Sequence, residues 1–217
     1  MSNISIIDNK ILMAQARESL KGNWGLVTGT TVLFIIISGV VQCIPLLGGF
    51  IGFAINGPLS LGLATLYLSI IRNKEAKSSQ LFDGFNRFGV SLGAYLLALL
   101  FCVLWALLLI VPGIIASLSY SMMYYIIADD RNIGPLEAIS KSKAIMYGNK
   151  WKLACLNARF IGWSILCIFT LGIGFIWLLP YIATSNAKFY EEIISGDIST
   201  SPFTADIMLG NSVAEAS

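Results

Sequence analysis

The sequence predicts an all-α fold: a polytopic membrane helical bundle of about six transmembrane helices, arranged as three helical hairpins, each preceded by a short amphipathic interfacial helix. Three observations predict it. Apolar residues make up 56% of the 217 and charged residues only 12%, about half the share usual for a globular protein. The charges are clustered, leaving three uncharged runs from Gly22 to Ile71, Phe88 to Ala128 and Phe160 to Ala187. Turn residues stand near the middle of every run: Pro45 with Gly48 and Gly49, Pro112 with Gly113, and Gly172 with Gly174.

One helical span takes about 20 apolar residues. The first run therefore holds two spans, the second holds two if one is short, and the third nearly does. Proline and glycine interrupt helices, so each run reads as a hairpin. A core helix apolar on every face is seldom so long in a small soluble protein.

The chain repeats one unit three times, at about 8–72, 78–130 and 135–195, within a single transmembrane domain, 1–195. The first unit opens with Leu12, Ala16 and Leu20 on one helical face and turns at Lys21-Gly22-Asn23-Trp24. The second opens with Leu81, Phe82, Phe85 and Phe88 and turns at Asp83-Gly84-Phe85-Asn86-Arg87. The third carries Ala138, Ile139, Ile145 and Met146. Pro135 suits its first helical position, Glu137 and Lys141 stand four apart, and Gly148 can close its end before Asn149-Lys150-Trp151. Two explanations of these stretches stay open. They lie in the membrane interface, with Trp24 and Trp151 at headgroup depth and basic side chains towards anionic lipid, or they are connectors whose apolar residues pack on the bundle.

Lysine and arginine fall in the N-terminal arm (Lys10, Arg17, Lys21), the second connection (Arg72, Lys74, Lys77, Arg87) and the fourth (Arg131, Lys141, Lys143, Lys150, Lys152), and the hairpin turns carry none. The positive-inside rule then places both termini in the cytoplasm. The start, with Asp8, Lys10, Arg17 and Glu18, does not read as a secretory signal peptide, so the first span is expected to act as the targeting signal. The segment 196–217 is small and polar, with Asp197, Asp206 and Glu215, and is expected to be a disordered cytoplasmic tail.

The groups that carry chemistry are few. There is no histidine, which removes imidazole acid–base catalysis and imidazole metal sites. Cys43, Cys102, Cys155 and Cys167 lie in apolar segments without paired metal spacing and read as packing residues. No phosphate loop or dinucleotide fingerprint occurs; no cofactor, metal or nucleic acid is expected. Asp129-Asp130 reads as a polar stop at the membrane boundary. Arg159, just before the run that starts at Phe160, either snorkels or serves a site. Gln42, Asn56 and Asn157 stand in apolar surroundings, where interhelical hydrogen bonding is the ordinary use of such residues. Gly25 with Gly29, Gly48 with Gly52, and Gly89 with Gly93, each four apart, suggest close helix approach.

Several strings together resemble the bacterial DUF975 family of integral membrane proteins, which has no established activity. They are Leu20 to Trp24, Leu81 to Phe85, Val111-Pro112-Gly113 leading to Tyr120 to Asp130, Glu137 to Lys152, Pro180-Tyr181, and Phe189-Tyr190. The resemblance implies a fold and a bacterial cytoplasmic membrane setting, and carries over no site.

The leading functional expectation is a non-enzymatic membrane module that acts through helix packing and its basic cytoplasmic face and binds lipid or a protein partner, with Trp24, Lys141, Lys143, Lys150, Trp151 and Lys152 as candidate contacts; its glycine-rich faces also permit self-association. The alternative is a small-solute or peptide channel or exporter, with Gln42, Asn56 and Arg159 as its intramembrane polar site. A lipid-modifying enzyme at the cytoplasmic rim is the remote third, because acid–base work needs positioned titratable groups and only Asp129, Asp130, Glu137 and Lys150 offer them there.

Overall fold

The structure is a computed structural model that describes residues 9–43, 48–170, 172 and 174–199. Every element among them is helical: α1 (Asn9–Ser19), α2 (Trp24–Gln42), α3 (Gly48–Ile71), a 3-10 segment (Ser78–Arg87), α4 (Phe88–Leu108), α5 (Ile110–Tyr120), α6 (Met123–Asp129), α7 (Pro135–Ile145), α8 (Lys150–Phe169) and α9 (Phe175–Ser199). Residues 44–47, including Pro45, lie outside the described residues, as do 1–8 and the tail beyond Ser199.

Among the described residues, five helical stretches are long and apolar enough to cross a bilayer: Trp24–Gln42, Ile51–Ile71, Ser78–Leu107, Val111–Asp129 and Lys150–Phe169. The helix α9 is not among them. Its apolar part ends at Ala187, and Lys188, Glu191 and Glu192 follow within the same helix, so it meets the length rule less well than its neighbours.

The helix α3 is the axis of the bundle. It is apolar all round, 67% of its span is buried against 17% for α2, α4 and α8, and it contacts α2, α4, α6, α9 and the 3-10 segment. The helices around it turn apolar side chains outwards instead. Val40 on α2, Leu107 on α4 and Phe169 on α8 are 62%, 84% and 82% exposed. Such a belt would be an aggregation liability in water and is what hydrocarbon accepts. The chain is a multi-pass membrane protein.

Glycine sets the closest approach. A Cβ at Gly62 would sit 1.9 Å from the Leu81 carbonyl oxygen, and one at Gly84 would sit 1.9 Å from that of Pro58. The 3-10 segment therefore lies backbone to backbone on α3, with Leu81 buried while Phe82, Phe85 and Phe88 face outwards. Of the spaced pairs expected to do this work, Gly25, Gly29 and Gly89 face open space, Gly52 lies under Gln42, and Gly93 abuts Pro135. Spacing marks a helix face but does not say what covers it.

Leu12 and Ala16 of α1 and Leu20 just after it are fully buried, as are Ala138 and Ser142 of α7 and Met146 at its end. The corners that follow are alike in detail. Gly22 and Gly148 have φ of +86° and +85°, a conformation that suits glycine. At each corner the next asparagine donates its N–H three residues back, Asn23 to Leu20 and Asn149 to Met146, both with a carboxyl-side neighbour: Val27 N–H reaches Asn23 O and Leu153 N–H reaches Asn149 O.

Candidate functional site

The ends of α3 and α6 meet the middle of α9 in a cluster of charged side chains. Arg72 donates from Nη1 and Nη2 to the two carboxylate oxygens of Asp129, the second bond 2.9 Å long, and from Nε to Glu191. Tyr190 Oη donates to Asp129 Oδ2 at 3.1 Å, and its ring stacks on Tyr125, centroids 5.4 Å apart. Arg72, Asp129 and Glu191 are each about a quarter exposed. The hydrogen bond from Arg72 to Asp129, with Glu191 beside it, holds the guanidinium above its already high ordinary pKa, so the group is a permanent cation. Arg87 closes the loop after α6 by donating to the carbonyls of Ile127, Asp130 (3.0 Å) and Ile133 (3.2 Å).

This cluster is structural in its geometry: the donors and acceptors face one another and satisfy one another. Asp129 is thus more than a polar stop, because it fastens two helices that are far apart in sequence. Asp130 caps its own turn, accepting from Asn132 N–H at 2.9 Å.

The candidate lipid or partner contacts divide. Lys152 Nζ lies 3.3 Å from Glu192, with side chains 18% and 10% exposed, and 6.0 Å from the Phe189 ring centroid, so it is engaged inside the bundle. Lys141 and Lys143 on α7 are exposed, Lys150 is half-buried and Trp151 is 79% exposed. Trp24 is half-buried beside α1.

The candidate intramembrane polar site does not form one constellation. Ser38 Oγ donates to Asn56 Oδ1 at 3.3 Å between α2 and α3, and Gln42 covers Gly52 on the same pair of helices. Arg159, by contrast, is exposed on α8 and lines a cleft of about 750 Å³ with Lys10 and Arg17 of α1 and Lys21 just after it. Sequence reasoning missed Arg72, Arg87, Glu191, Glu192 and Tyr190 as structural partners, and Arg17 as a companion of Arg159. Nothing local signals those pairings, which join segments far apart in the chain.

The pairing of α6 with α9 through Asp129, Tyr190 and Glu191 falls inside a segment that also matches a known family. Residues 106–197 match DUF975, a protein family of unknown function. The DUF975 match takes in the end of α4 and α5 to α9, so the strings Leu20 to Trp24 and Leu81 to Phe85 lie outside it. No curated protein matches the chain. No solved structure does either. The DUF975 segment supplies Asp129, Lys152, Glu191 and Glu192, while Arg72 comes from the part of the chain before it.

Proposed function

We propose that this protein is a non-enzymatic membrane module whose basic end faces the cytoplasm and binds anionic lipid. The observation that carries this reading is the one-sided charge. Arg72 and Asp129 at the ends of α3 and α6 meet Glu191 of α9, and exposed Lys141 and Lys143 stand on the neighbouring α7 and the indole of Trp151 at the start of α8. Juxtamembrane lysine and arginine draw anionic headgroups at about 1 kcal/mol per residue near the surface, and tryptophan settles at headgroup depth. In this reading the chain makes six crossings, with α9 as a short sixth, α1 and α7 lie at the cytoplasmic interface, and the three units descend from one repeat. The likeness of the Gly22 and Gly148 corners supports the repeat.

The experiment is native mass spectrometry of the protein released gently from its own membrane. Retained anionic lipid is expected, with fewer copies on a Lys141→Gln, Lys143→Gln, Lys150→Gln variant; Lys152 is spared because it pairs with Glu192. Unchanged lipid retention by that variant would overturn the proposal that this face binds lipid. The channel reading has less to draw on, since Ser38 and Asn56 bond to each other and Arg159 lies beside α1.

A further inference from the structure

The cleft that Arg159 lines continues into a second cavity. That cavity, about 430 Å³, is walled by Trp24, Trp163, Cys167, Trp177 and Leu178. The two share Met13, Arg17, Trp163 and Tyr181, so they are compartments of one groove between α1 and the hairpin of α8 with α9. The compartments differ in chemistry. Among the described residues, the first is bordered by Lys10, Arg17, Lys21 and Arg159 together with Glu18. The second is lined by indoles and aliphatic groups, and Trp163 and Trp177 are 59% and 55% exposed towards the surroundings of the bundle. Both volumes fall in the range of ligand sites, about 300–1,000 Å³.

The groove is fixed by contacts around it. Tyr181 Oη donates to the Met13 carbonyl at 3.2 Å, tying α9 to α1, and Asn9 Nδ2 donates to the Lys152 carbonyl at 3.1 Å, tying α1 to α8. Arg159 stands nine residues past Lys150 on α8, roughly 13 Å along the axis at helical rise, with Trp163 and then Cys167 on successive turns beyond it. The basic compartment therefore lies at the end of the apolar one nearer the start of α8. A molecule that suits both carries negative charge at its head and hydrocarbon below.

We propose that this groove seats one anionic phospholipid, its phosphate between Arg17 and Arg159 and an acyl chain along Trp163 and Trp177. Arginine suits the role because its planar fork meets phosphate oxygens at two points. A soluble anion would leave the apolar compartment unused, and a zwitterionic lipid would bring an ammonium group into the cationic mouth. The inference deepens the lipid-binding reading above and rests on it, but it moves the specific site from the lysines of α7 and α8 to the α1–α8 groove.

The test uses the full chain in detergent with equal mole fractions of phosphatidylglycerol and phosphatidylcholine of matched chains, read by native mass spectrometry. One phosphatidylglycerol retained about tenfold over phosphatidylcholine is expected. The excess falls several-fold in Arg17→Gln and in Arg159→Gln and vanishes in the double variant, whose folding is checked by its thermal midpoint. Excess glycerol phosphate, which has the head without chains, leaves the lipid in place. Loss of the excess in the Lys141, Lys143, Lys150 variant but not in the arginine variants overturns the groove and leaves the broader lipid-binding reading standing. Equal retention of both lipids by the parent overturns the assignment of an anionic ligand. Displacement by glycerol phosphate alone overturns the role of the acyl chain.

Discussion

The guanidinium of Arg72 and the carboxylate of Asp129 form a two-point ion pair that joins the end of α3 to the end of α6, across 57 positions of sequence. Glu191 and Tyr190 add α9 to the same junction. The central helix is therefore held at its charged end by an ion-pair cluster, and along its length by apolar burial with the Ser38–Asn56 and Thr31–Tyr67 hydrogen bonds to α2.

Removing Arg72 leaves two partly buried carboxylates facing each other. Hydrogen bonds to charged groups contribute about 1.5–3 kcal/mol each when lost from one side, and the partial exposure of this cluster puts the expected cost of Arg72→Gln near the lower end. The thermal unfolding midpoint in detergent should fall clearly below that of the parent. Arg72→Gln combined with Asp129→Asn should cost less than the sum of the two, and strict additivity would show that the pair is not coupled.

The lysines of the third unit should separate in the same assay. Lys141→Gln is a change at an exposed position and should stay within about 0.5 kcal/mol. Lys152→Gln leaves Glu192, 10% exposed, without the cation 3.3 Å away, and a cost of about 2–3 kcal/mol is expected, under the 3–5 of a fully buried pair. Equal midpoints for the two variants would contradict the pairing.

Gly62→Ala places a methyl group where the Leu81 carbonyl oxygen now is. The helix and the 3-10 segment must move apart, and overpacking of this kind costs about 1–3 kcal/mol or more. Size-exclusion profiles of a fluorescent fusion should show loss of the folded peak. Gly25→Ala, in open space inside α2, should be neutral or stabilising by about 0.5–1 kcal/mol. If Gly62→Ala were as benign as Gly25→Ala, the backbone contact would be wrong.

The contrast between Gly62 and Gly25 also marks what the sequence makes legible. Uncharged runs announce the helices, because length and hydrophobicity alone decide what can cross a bilayer. The faces of α1 and α7 are legible too: Leu12, Ala16 and Leu20, and likewise Ala138 and Met146, recur at helical spacing and are buried. The second unit was harder to read, since Leu81, Phe82, Phe85 and Phe88 fit an amphipathic helix, yet close approach at Gly62 and Gly84 yields a 3-10 segment with its phenylalanines outwards. The partners of Asp129, Lys152 and Arg159 lie on other elements, so no local pattern could name them. The charge clusters of the sequence told where ions gather but not which ones meet.

The orientation proposed above rests on where lysine and arginine collect. They stand in the arm before α2, between α3 and α4, and between α6 and α8, and insertion keeps such connections on the cytoplasmic side. Cys43 is exposed at the opposite end of α2, beyond an uncharged helix. In a background with Cys102, Cys155 and Cys167 replaced by serine, a membrane-impermeant maleimide applied to intact cells should therefore label Cys43. With Cys43 also replaced and Lys141→Cys introduced on α7, labelling should need permeabilised cells. The reverse pattern would invert the bundle and place the basic groove of Arg17 and Arg159 in the outer leaflet, whose lipids are what the groove would then have to select.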